Sequence, residues 1–213
     1  MEEDIAIINS NTRKDKIKNF LITNKKKIIL LTIIIIISFI TLFVFQDFQK
    51  KRKIEISNQY NSLIIEYSGE NKNETIDGLI KIIEKKDSTY SPLALYFIID
   101  NSLIKEKEKI NKLFDILINK TKIDKEIKDL IIYKKATFNS NFSTENDLLK
   151  ILNPLVNSES IWKSHALYLL AEFFYYNNQK QKAKEFYNKI INLSDVNSDI
   201  LVEAQKRLSR DYR

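Results

Sequence analysis

The sequence predicts an all-α chain: an N-terminal transmembrane helix followed by an α-solenoid of short, degenerate helical hairpins. Three observations carry that expectation. Ile28–Phe45 reads IILLTIIIIISFITLFVF, eighteen residues without a charge, a Gly or a Pro. Beyond it, apolar residues recur at spacings of three and four, the period of a helix with one buried face. Gly and Pro number two each, too few for the tight turns of a β-rich fold or for a loop that cradles phosphate.

As a helix, Ile28–Phe45 covers roughly 27 Å, and extension to Phe48 reaches the thickness of a bilayer core. The core helix of a soluble protein carries a polar stripe, whereas this run has only Thr32, Ser38 and Thr41. Residues 28–48 are therefore expected to span a membrane. The run is longer than the ~7–15 residues of a signal-peptide core, and no small-x-small cleavage site follows Phe45, so it reads as an uncleaved signal anchor. Cys is absent, which removes disulfides, thiolate metal sites, a cysteine nucleophile and acylation on cysteine. Residues 1–27 form a tail that starts acidic at Glu2, Glu3 and Asp4 and ends on Lys25, Lys26 and Lys27. Seven basic residues precede the span, against Lys50, Lys51, Arg52 and Lys53 just after it. That asymmetry predicts a cytoplasmic N-terminus and a translocated region 49–213. Two readings of the tail stand side by side: an amphipathic turn with Ile17, Phe20 and Leu21 in the headgroup plane, or a solvated tail that only sets orientation.

The net charge of +7 invites a nucleic-acid reading, and its distribution argues against one. Residues 49–213 hold 28 basic and 23 acidic side chains, interspersed as on a solvated mixed surface. A phosphate-binding stripe would segregate them. No nucleic-acid partner is expected.

Region 49–213 reads as a string of helices. Ile56, Tyr60, Leu63, Ile64 and Tyr67 share one helical face, and Ser68-Gly69-Glu70-Asn71 breaks it. A second helix carries Ile76, Leu79, Ile80 and Ile83. Ser91-Pro92 reads as a helix start, with Ser able to cap and Pro at the first helical position, where it loses no hydrogen bond. The apolar helix Leu93–Ile99 is expected to pair with one bearing Ile110, Phe114 and Leu117. Another pair runs from about Ile127 to Ala136 and from Leu148 to Leu152 across the loop Asn139–Thr144.

The last hairpin, SHALYLLAEFFYYNNQKQKAKEFYNKIINLSD, is the clearest, and the repeat it anchors covers residues 164–197. Leu167, Leu170, Ala171 and Phe174 form the stripe of its first helix, and Ala183, Tyr187 and Ile190 that of its second. Asn177-Asn178 makes the turn. Leu-x2-Leu-Ala-x2-Phe followed by Ala-x3-Tyr matches the spacing of the tetratricopeptide repeat. Small residues at Ala171 and Ala183 let two helices cross closely, and Phe174 and Tyr187 fill the space around them. Leu167, Ala171 and Asp195 depart from the usual Trp, Gly and Pro. A 35-residue offset lays Ile132 and Ala136 over Leu167 and Ala171, a weaker earlier repeat. Residues 198–210, with Ile200, Leu201, Ala204 and Leu208, suit a capping helix that covers the last repeat.

The basic tail, the early apolar span and the distal hairpins together resemble the ancillary Sec-translocon subunit family. The stretch Pro154-Leu155, Ile161-Trp162, Ala166, Leu170-Ala171 and Ala183-x3-Tyr187 is similar to the C-terminal repeat of its alphaproteobacterial members. In architecture the resemblance covers the whole chain, in motif about residues 150–208. It implies a single-pass protein of the bacterial inner membrane with a periplasmic repeat domain. Its implied partners are translocon subunits and a periplasmic chaperone or exported client. A membrane-tethered scaffold for envelope assembly or cell division is the alternative on the same architecture.

No catalytic constellation is legible. His165 is the only histidine, and without Cys or a neighbouring nucleophile it founds neither a metal site nor a triad. No enzyme activity, cofactor, metal or small-molecule substrate is expected. Trp162, the only tryptophan, reads as packing beneath Pro154-Leu155. His165, Tyr168, Glu172 and Tyr175 fall on one helix side, distinct from the packing stripe. That side is either a groove for a protein partner, which tyrosines suit, or a surface that packs on the preceding hairpin.

Overall fold

A computed structural model of the chain describes residue 16 and residues 18–212. Expectations for the first fifteen residues and for Ile17 lie outside the described residues. The fold is all-helical: helices account for 78% of it, and no strand occurs among the described residues. The chain divides into two units, Met1–Glu55 and Ile56–Arg213.

Helix α1, Lys25–Ile65, is 41 residues long, so it does not stop at Phe48 where the apolar run ends. The change at residue 48 is one of polarity only: no Gly or Pro interrupts Lys25–Ile65. Asp47 and Lys51 pair at 2.8 Å, one turn apart, across that point. Within the first unit the Thr41 hydroxyl donates to the Ile37 carbonyl at 2.8 Å, so a polar side chain in the apolar run is satisfied by its own helix. From Ile29 to Phe45 the run is exposed, with Phe43 75% and Phe39 69% accessible. The helix has a mean hydropathy of 3.2 over its most apolar stretch and is long and apolar enough to cross a membrane.

The second unit begins at Ile56, which is buried, and continues with eight further helices among the described residues. They are α2 (Lys72–Glu84), α3 (Tyr90–Asp100), α4 (Lys107–Lys120) and α5 (Lys125–Asn139), then α6 (Glu145–Val156), α7 (Lys163–Tyr176), α8 (Lys180–Ile191) and α9 (Ser198–Asp211). The break at 68–71 is held by Asn71, whose amide donates to the Glu66 carbonyl and accepts from the Ser68 amide at 2.7 and 2.8 Å. Ser91 does not cap α3 as its sequence position suggests. The Asp87 carboxylate accepts from the Thr89 and Tyr90 amides at 2.9 and 2.8 Å, and the Ser91 hydroxyl donates back to the Ile82 carbonyl of α2. Pro92 sits in the first turn, where its missing N–H costs nothing. Thr144 and Asn197 cap α6 and α9. With so little glycine, three helix ends put other residues in the left-handed region: Lys86 (φ 55°), Ser102 (φ 48°) and Asn178 (φ 58°).

Helix pairing differs from the expectation in the first half. Helix α3 packs on α4 as expected, but more extensively on α2. The reason is local: the Asp87 turn folds α3 back onto α2 over five residues, and Ser91 ties the two. In the second half α5 pairs with α6 and α7 with α8, as the spacing suggested, and α7–α8 is the most intimate pair. Alternate helices also touch, α2 with α4, and α5 with α7, and α7 with α9. Two cores result. One runs from Ile56 to Ile131 and the other from Ile132 to Ala204. Adjacent residues of α5 serve different cores, because successive side chains on a helix diverge by about 100°.

Candidate functional site

Helices α7 and α8 set the frame. Leu167, Leu170, Ala171, Phe174, Ala183, Tyr187 and Ile190 are all buried in the second core. Ala171 and Ala183 are fully buried between the larger side chains, and Phe174 stacks on Phe186 at 5.3 Å. The turn between the helices closes through the Gln179 amide, which donates to the Phe174 carbonyl at 2.9 Å.

The neighbouring face of α7 holds the four residues singled out in the sequence, and the structure keeps three of them together. Tyr168, Glu172 and Tyr175 lie beneath α9. One Glu172 carboxylate oxygen accepts from the Tyr187 hydroxyl and the other from the Arg207 guanidinium, both at 2.5 Å. Arg207 also lies 4.9 Å over the Tyr175 ring. The ion pair is largely buried, with side-chain exposures of 18% for Arg207 and 16% for Glu172. Burial works against the Arg207 cation, but the Tyr168 hydroxyl and the Glu172 carboxylate more than offset it and hold the group above its ordinary range. Burial, and then the hydrogen bond to Glu172 and its charge, pushes the Tyr187 hydroxyl well up, so it is a committed donor. This network docks the C-terminal helix, whose only fully buried residue is Ala204.

His165 separates from the other three. It lies in an aromatic cluster with Trp162 (5.1 Å) and Tyr133 of α5 (5.8 Å), and Trp162 stacks on Tyr133 at 5.6 Å and 20°. Burial lowers the His165 pKa, so the ring is held neutral. Its Nδ1 and the Trp162 Nε1 are both buried without a protein partner.

A second surface was not singled out from the sequence. Helices α4 and α6 both pack on α5 and scarcely on each other, leaving an open groove of about 780 Å³ above α5. On one wall Asn111 and Asn139 exchange two amide hydrogen bonds, 2.9 and 2.8 Å, and Asn139 is buried. Lys135 pairs with Asp115 at 2.8 Å. Lys107 lies 3.8 Å over the Phe142 ring. The available sequence signal was Lys-x3-Asn at 107–111 and again at 135–139, one copy on each of two neighbouring helices. Among the described residues no three His, Asp or Glu side chains converge to hold a metal ion.

Compared with known protein families, with curated proteins and with solved structures, the chain matches none.

Proposed function

We propose that the chain is a non-catalytic, membrane-anchored protein-interaction module acting at the Sec translocon during protein export, with the N-terminus cytoplasmic and residues 49–213 in the periplasm of a bacterial cell. The observation that carries this reading is the pairing of a helix long and apolar enough to cross a membrane with a helical domain whose polar clusters join helices to one another. The alternate-helix contacts α5–α7–α9 support a solenoid of tetratricopeptide-like hairpins, a scaffold suited to holding partners. The translocon assignment rests on the resemblance over about residues 150–208 and on the arrangement of tail, span and domain. Partners would be translocon subunits, a periplasmic chaperone or an exported client.

The test is chemical crosslinking in intact cells followed by purification in mild detergent. Translocon subunits should be the dominant partners. Recovery of envelope-assembly or division proteins in their place would support a scaffold on the same fold and remove the export assignment.

A further inference from the structure

We infer that helix α1 is gripped at both ends of its apolar run by anionic phospholipid headgroups, held by the lysines at 25–27 on one side and by the basic collar at 50–53 on the other; this rests on the membrane-anchored reading. The distribution of charge along the chain is the first observation. Residues 16–55 carry nine basic and two acidic side chains, a net +7 that equals the net charge of the whole protein. Residues 56–213 hold 24 basic against 22 acidic side chains. The excess of positive charge is therefore confined to the two flanks of the apolar run. No carboxylate falls anywhere in residues 16–46, and the collar has Asp47 and Glu55 beside its four cations.

Geometry places both clusters at one kind of surface. Helix α1 runs unbroken from Lys25 to Ile65, so Lys27 and Lys50 lie roughly 35 Å apart along its axis. That distance exceeds the ~30 Å of hydrocarbon and falls within the ~40–45 Å that include the headgroups. The flanking lysines are exposed, and so are Lys50, Lys51, Arg52 and Lys53. Successive residues of a helix diverge by about 100°, so four in a row encircle it and present cations on every side. Their apolar stems lie along the hydrocarbon edge while the charged ends reach the phosphates. Cations are depleted on the translocated side of a membrane span, and four consecutive ones directly after the run call for a counter-charge at that depth. A nucleic acid would need a continuous track of cations, which the apolar side chains between the clusters interrupt. An acidic protein segment could meet one cluster. Only the two headgroup layers of a bilayer present anions at both ends of a single apolar span.

The test uses the full chain released from mixed micelles holding equal amounts of phosphatidylglycerol and phosphatidylcholine, with retained lipids counted by native mass spectrometry. The wild type should keep phosphatidylglycerol over phosphatidylcholine by at least about threefold, a preference that added salt erodes. Lys50→Gln with Lys53→Gln alters exposed side chains, so it should lower that preference and leave the helical signal unchanged. Adding Lys25→Gln and Lys26→Gln should bring the two lipids near parity. Lys105→Gln with Lys109→Gln, at exposed positions of the second unit, should behave as wild type. Equal retention of the two lipids by the wild type, a preference untouched by the Lys50 and Lys53 changes, or one lowered as much by the Lys105 and Lys109 changes would overturn the proposal. Alkaline extraction of liposomes carrying the wild type separates this proposal from the reading on which it rests. A chain that resists extraction yet shows no lipid preference removes the headgroup proposal alone, whereas a chain extracted like a soluble protein removes the membrane anchor itself.

Discussion

Arg207→Met removes the cation that holds α9 on α7 and strands the Glu172 carboxylate in a largely buried position. Removing one partner of a fully buried pair costs about 3–5 kcal/mol, whereas an exposed pair is worth about 0–1. With exposures of 18% and 16%, and with Tyr187 still donating to Glu172, about 2–3 kcal/mol is expected. The apolar anchorage of α9 cannot absorb that loss, because Ala204 alone is fully buried while Ile200, Leu201 and Leu208 are half-buried. At about 2–4 °C per kcal/mol for a domain of this size, the melting midpoint of the full chain in detergent should fall by about 4–12 °C. Circular dichroism reads it. Glu172→Met combined with Arg207→Met should recover most of the loss, since neither charge is then left alone. An Arg207→Met protein that melts like wild type, or a double variant no better than the single, would show that α9 is held by something other than this pair.

Three further outcomes follow from the packing. Ala183→Leu should lower stability by about 1–3 kcal/mol by forcing α7 and α8 apart, while Gln181→Leu on the exposed side should change the same melting curve little; equal effects would place the close crossing elsewhere. His165 is neutral in the fold because burial lowers its pKa. Its contribution is therefore fully present above the ordinary value of about 6.5 and is lost as pH falls below that toward the depressed value. The wild-type midpoint should drop on acidification more than that of His165→Phe, and parallel curves would refute the burial of the ring. Lys86→Gly relieves a left-handed conformation at an exposed helix end and should raise stability by about 0.5–1 kcal/mol in denaturant titration; a loss would mean that the Lys86 side chain contributes more than its backbone costs.

The apolar run and the second-half hairpins were legible because their signals are local. Leu167, Leu170, Ala171 and Phe174 repeat at helical spacing, and Asn177-Asn178 marks the turn between two such stripes. The first-half pairing was not legible, because α3 could pack on either neighbour. The choice of α2 depends on Asp87 and Ser91, polar residues whose partners no periodicity names. Helical spacing grouped His165, Tyr168, Glu172 and Tyr175 on one side of α7, and the last three meet the C-terminal helix. Their partner there is Arg207, 35 residues on from Glu172, and a single sequence gives no pairing at that distance. The expected alternatives were a partner groove or packing on the preceding hairpin, and the structure sends His165 toward α5 and the other three beneath the following helix. The continuity of α1 past Phe48 was hidden for another reason: polarity changes sharply there, yet helix propensity does not.

The proposed role at the export machinery requires residues 49–213 to lie across a membrane from the N-terminus, and protease accessibility measures that orientation. Spheroplasts carrying the full chain with an N-terminal epitope should, on addition of protease, lose residues 49–213 and keep the epitope with the apolar span in a small membrane-bound fragment. Protection of residues 49–213 until the inner membrane is lysed would contradict the proposed periplasmic placement and with it the proposed role at the export machinery.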